Sequence, residues 1–222
     1  QYHLERRADS PAIDAGDPNS TRDRDGSVVD MGADSFVTAD LWPEDITQAR
    51  VPPVLINEIM YRASEDFASG DWVEFYNTTE ETLSLAGWSF SDSDSTNRFE
   101  FPLATAIGPR GYLVVARAIE LFQAVYPDLK NVVGNFEFGL APEDGVKLYN
   151  AELLLVSEVA YRNAFPWPLA ADGVGSSLSR NTAFLFNGHV DNWTASEQKG
   201  SPGRANSRIV EGEPGADGIH LV

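Results

Sequence analysis

Glu58 and Glu74 are the residues whose type and spacing come nearest to chemistry. They stand in two strand-like runs, VLINEIMY at 54–61 and DWVEFYN at 71–77. Two carboxyl groups across a bond are the acid and base of glycoside hydrolysis. Period-two alternation puts Glu58 on a face with Ile56 and Met60, and Glu74 on a face with Trp72 and Tyr76. Such neighbours favour a different reading, in which partly buried carboxylates are held by arginine or backbone donors. No substrate cleft is signalled, so no catalytic residue is assigned. Asp17, Asp23, Asp25 and Asp30 form the densest carboxylate cluster, and oxygen-rich loops of this kind bind calcium. The EF-hand pattern fails, because Thr21 stands two places before Asp23 and Gly32 stands where the closing glutamate belongs. The other reading is an Asp-rich turn bent at Asp25-Gly26. Calcium is thus the one cofactor the sequence raises. Tyr161, Phe165, Trp167 and Trp193 could form an aromatic platform for sugar rings. The favoured reading is that they plug one end of the fold.

Other reactive types lead nowhere. His3, His189 and His220 are too scattered for a metal triad or a partnered base. Ser176 and Ser177 lack a nucleophile elbow. Gly173-Val174-Gly175 is followed by no helical pattern, so it is no phosphate loop. With no cysteine in the chain, disulfides and thiolate chemistry are excluded.

The elements that must position these residues are mostly strands. Further bursts of strand length are WSFSD at 88–92, RFEF at 98–101, YLVVA at 112–116, VKLYN at 146–150 and LLLVSEVAY at 153–161. Most are rich in β-branched or aromatic residues. Turn signals separate them, at 68–71, 108–111 and 142–145. Many short strands with turns between them point to a sandwich or barrel. Within RAIELFQAVY at 117–126, Ile119, Phe122, Val125 and Tyr126 recur at helical spacing, and Pro127 ends the run. This predicts one short helix, over 118–126, crossing between sheets. Pro166 and Pro168 exclude Trp167 from a central strand, so that segment is a loop pinned by a tryptophan.

Composition divides the chain. Residues 1–50 carry 11 acidic and 5 basic residues and few apolar runs, too little to bury a core alone. Residues 51–206 carry 20 acidic and 10 basic residues and hold the strand bursts. Residues 207–222 are Gly-rich and acidic, and read as a flexible tail. The formal net charge of −18 repels polyanions, which argues against DNA or RNA as a direct ligand and against an anionic membrane surface. No run of 18 apolar residues is present, so no membrane insertion is expected. No signal peptide is visible in the first ten residues, and excision from a longer chain is the expectation.

The order of motifs carries a resemblance. Ile56–Tyr61 and Gly70–Asn77 are followed by Leu85–Asp92, Phe101-Pro102 and Pro109–Val115. Then come Gly145–Leu148, Pro166-Trp167-Pro168, Asp172–Gly175, Ser177-Leu178, Asn192-Trp193 and Gly200-Ser201-Pro202-Gly203. Together these resemble the lamin tail domain in its bacterial form, an accessory module of exported multidomain proteins. The resemblance implies an all-β, immunoglobulin-like β-sandwich over 51–206, without enzymatic activity. Ser10–Pro18 (SPAIDAGDP), Asp23-Arg24-Asp25-Gly26 and Asp30–Phe36 (DMGADSF) resemble the closing segment of bacterial exported parallel β-helix proteins. That resemblance implies an irregular, β-helix-like remnant at 1–50, with its coils upstream. The expected function is adhesion, binding or spacing in a secreted or cell-surface protein, with an extracellular glycan or protein as partner. The alternative is the C-terminal part of a polysaccharide-degrading β-helix enzyme. Oligomeric state stays open.

Overall fold

The computed structural model describes residues 51–181 and 188–206. Expectations for residues 1–50 and 207–222 lie outside the described residues. The described residues form an all-β fold with one short α-helix, as the sequence implies. The strands are β1 (Val54–Met60), β2 (Trp72–Asn77), β3 (Leu83–Ser84), β4 (Ser89–Ser91), β5 (Arg98–Glu100) and β6 (Ala106–Ile107). They continue as β7 (Tyr112–Ala116), β8 (Val132–Gly134), β9 (Asp144–Tyr149), β10 (Leu155–Tyr161), β11 (Leu178–Arg180) and β12 (Trp193–Ala195). The helix α1 spans Ile119–Val125. A six-stranded sheet runs in the order β12-β11-β1-β2-β7-β8, and a four-stranded sheet in the order β10-β9-β4-β5. Strands β3 and β6 form a separate two-stranded ribbon.

The two larger sheets enclose the main core. Val54, Ile56, Ile59, Val73, Phe75, Leu113 and Val115 come from the six-stranded sheet; Phe90, Val146, Leu148, Val159 and Tyr161 come from the other. Phe90 is the hub of the aromatic packing, with Phe75, Phe99, Phe101, Phe136 and Phe138 all within 6.5 Å of its ring centre. Trp88, which follows Gly87, is only half-buried. Gly87 does make the turn, at φ +76°. The turn delivers Phe90 to the core instead.

The six-stranded sheet is buried on its outer face as well. There Met60, Trp72, Val114 and Ala116 pack under Phe122 of α1, joined by Ile119, Tyr126 and Leu129. The helix connects β7 to β8, which pair in parallel, with Val114 opposite Val132. A parallel neighbour cannot be reached by a hairpin and requires a crossover. The helix is therefore a crossover within one sheet, which corrects the expectation of a bridge between sheets. The run at 153–161 is also shortened. Leu153 and Leu154 belong to the turn from β9 to β10, with Leu153 at φ +62°.

These two burials set unequal costs for two tryptophans. Trp72→Ala removes a fully buried ring and should lower stability by about 3–5 kcal/mol in urea denaturation. Trp88→Ala, at a half-buried site, should cost clearly less.

Candidate functional site

The two sequence-predicted carboxylates do meet. Glu58 on β1 lies opposite Glu74 on β2 in the antiparallel register. Both are fully buried. The alternation expected of β1 is broken between them and the strand start. Ile56 pairs with Phe75 and Glu58 with Glu74, so Asn57 is an extra residue in the ladder. This bulge sends Ile56 into the main core and Glu58 to the outer face with Met60. The expectation that Ile56 shares a face with Glu58 is thereby corrected.

Hydroxyl, amide and peptide donors surround the pair. Glu58 Oε1 accepts from Ser177 Oγ, from Ser179 Oγ at 3.2 Å and from Ser201 N at 2.9 Å; Oε2 accepts from Ser201 Oγ at 3.1 Å. Glu74 Oε1 accepts from Asn57 Nδ2 at 2.8 Å, and Oε2 accepts from Gly203 N. Asn57 Nδ2 also donates to Asn206 Oδ1 at 2.8 Å, and Asn206 Nδ2 donates to Asn57 O at 3.0 Å and Arg180 O at 2.9 Å. The segment 197–206 thus closes over the outer face as a strap. Its Gly200 has φ +72°, and a Cβ there would stand 2.7 Å from Glu58 Oε1 and 3.2 Å from Trp72 Cη2. Only glycine fits both the backbone and the space.

Electrostatics follow from that enclosure. Burial pushes the Glu58 carboxyl above the ordinary glutamate value, against the lowering effect of its serine and backbone donors. Burial, then the nearness of Glu58, raises Glu74 well above it. Two like charges facing each other in a low-dielectric site cannot both form cheaply, so the pair gives up its second proton less readily than free glutamates do. Such a pair has the chemistry of a general acid and base, but no open surface reaches it for a substrate to approach.

The aromatic residues divide. Tyr161, Trp167 and Trp193 belong to the main core, with Trp167 6.5 Å from both Tyr161 and Trp193 between ring centres. Phe165 is 89% exposed. Trp167 anchors the loop 162–175, while Phe165, Leu169 and Val174 of that loop face solvent. A shallow polar cleft of about 200 Å³ opens at the loop's start, lined by Ser93, Glu143, Asp144, Ala160, Tyr161 and Arg162. Asp144 is engaged there by the backbone N–H groups of Ser93, Ala141 and Gly145. The calcium candidates Asp17, Asp23, Asp25 and Asp30 lie outside the described residues. Among the described residues, no group of three or more His, Asp or Glu side chains is arranged to hold a metal.

A family model, the Lamin Tail Domain, matches residues 47–163, more than half of the chain. The chain belongs to the lamin tail domain family. No curated protein matches it. Lamin tail domains are in general non-enzymatic modules. The matched segment of this one ends at Asn163, before β11, β12 and the strap. Residues outside the match thus supply five of the six donors to the acid pair, all but Asn57. Sequence reasoning missed those donors. Their signals were Ser177-Leu178 and the Gly200-Ser201-Pro202-Gly203 turn, both read as motifs without a partner. No helix among the described residues is long and apolar enough to cross a membrane.

Two outcomes test the enclosure. Both glutamates have folded-state pKa values above the unfolded value near 4.5. The stability they contribute is therefore complete below that value and declines as pH rises toward the folded-state values. Glu74→Gln should flatten that decline in urea denaturation measured from acid to alkaline pH. Separately, Gly200→Ala should lower stability by about 1–3 kcal/mol, through its positive φ and the clash at Glu58.

Proposed function

We propose that this lamin tail domain is a non-catalytic binding and spacing module of an exported or cell-surface bacterial protein. Its contact surface is the 162–175 loop, and its partner an extracellular glycan or another protein. The observation that carries the reading is the contrast within that loop. Trp167 is sunk in the core while Phe165, two residues away, is almost wholly exposed. A rigidly anchored loop that presents an aromatic ring to solvent is built for contact, since binding residues favour loops on a fixed scaffold. A flat ring suits either a sugar face or a protein pocket. The neighbouring cleft adds Arg162 and the Glu143–Asp144 carboxylates as polar groups for orientation.

The acid pair supports the non-catalytic part. Its carboxyl oxygens are occupied by the fold's own donors, which leaves a structural task. A second reading, that the chain closes a polysaccharide-degrading β-helix enzyme, draws on the SPAIDAGD and DMGAD stretches alone. It is compatible with a binding role for residues 51–206.

The test is a glycan array and a pull-down with the full chain. Phe165→Ala should abolish capture and leave stability within about 0.5 kcal/mol, as for other exposed sites. Binding that survives this change would remove the loop from the contact surface. Turnover of any polysaccharide, lost in Glu58→Gln with the fold intact, would overturn the non-catalytic reading.

A further inference from the structure

We propose that residues 197–206 form a proton-operated strap, closed over β1 and β2 while the Glu58–Glu74 pair holds one proton and opened when alkali removes it.

The donor set is sized for one charge. Four donors converge on Glu58 and two on Glu74. Glu58, the better solvated by the protein, is the natural seat of the first charge, and Glu74 keeps the proton. Losing that proton to solvent leaves two anions opposite each other with no added donor. Water is then the only source of further solvation, and water must enter somewhere.

The strap is where it enters. On the other sides the pair is bounded by paired strands, β1 against β2 and β11, and β2 against β7. The strap has no strand pairing of its own among the described residues. Three of the six donors belong to it: Ser201 N, Ser201 Oγ and Gly203 N. Its other anchors include single polar contacts. Tyr126 Oη donates to Lys199 O at 2.5 Å, Lys199 N donates to Gly175 O at 2.7 Å, Gln198 Nε2 donates to Val174 O at 3.0 Å, and Asn206 is tied to Asn57 and Arg180 O. A segment held by individual polar contacts opens at lower free energy than a strand paired in a ladder.

The other ionisable groups around the pair do not supply the switch. Tyr112 on β7 is pushed up to about 12 by burial and then by Glu74, and burial also raises Tyr126, beyond α1. Both stay neutral while the glutamates titrate. Arg180 on β11, lowered by burial to about 10, stays cationic at neutral pH. Lys199 directs its ammonium toward the Phe67 ring, 5.8 Å away, and Arg204 is exposed.

Hydrogen–deuterium exchange on the full chain tests the strap, with rates corrected for the intrinsic pH dependence of exchange. As pH is raised from the ordinary glutamate range into alkali, protection in 197–206 should fall more than tenfold while that of β2 holds. Glu74→Gln should leave strap protection level across the same range. Constant strap protection in the unaltered chain, or an equal loss in Glu74→Gln, would overturn the proposal. Should that variant fail to fold, carboxyl carbon NMR on the unaltered chain decides instead. Two glutamates that both titrate at or below the ordinary glutamate value would refute a retained proton.

Discussion

The constraint on which this fold turns is that two glutamates stand face to face on adjacent strands and are both denied water. Opposed like charges destabilise a sheet even at its surface, and burial multiplies the cost. The polar groups placed over the centre of the outer face of β1 and β2 answer that problem. Serines from β11 and its approach, an asparagine from the bulge, and the Ser201 hydroxyl and peptide N–H groups of the strap together reach all four carboxyl oxygens. The result links the first strand to residues about 120 to 145 places later in the chain. A sandwich of short strands gains from such ties, because its own ladders are brief.

The six-stranded sheet is consequently covered on both faces by different means. Toward the four-stranded sheet it presents aliphatic and aromatic residues that pack around Phe90. On the outer face the cover is apolar at one end, where α1 lies on Trp72, and polar at the centre, where the strap lies on the acids. The segment after Asn163, beyond the family match, adds β11 and β12 to this sheet, Trp167, Leu178 and Trp193 to the main core, and the strap to the outer face.

Much of the architecture was legible because the long strands obey a period of two and carry β-branched or aromatic residues. Strands β1, β2, β7, β9 and β10 were all visible in that way. Strands β8, β11 and β12 were not, since three residues such as Leu178-Ser179-Arg180 are too few and too polar to form a pattern. The facing of Glu58 was misjudged for a local reason. One inserted residue at Asn57 inverts the alternation, and no periodicity argument sees a bulge. The crossover role of α1 depends on which strand β8 pairs with, which is a tertiary fact. Of the aromatic candidates, residue type could not separate Trp167 from Phe165. Only burial does, and it assigns one to the core and the other to solvent.

Function follows from what is left open once the fold has satisfied itself. The paired carboxyl groups are enclosed by the fold's own donors, and the proposed contact surface is the loop 162–175, where Phe165 is exposed. The central claim is that Glu58 and Glu74 act as one unit with one retained proton. A double-mutant cycle measures that directly, with Glu58→Gln, Glu74→Gln and the double variant compared by urea denaturation at neutral pH. The account predicts coupling, with the double variant departing from the sum of the singles by more than about 0.5 kcal/mol. Simple additivity would contradict it, because two acids that do not sense each other share no proton.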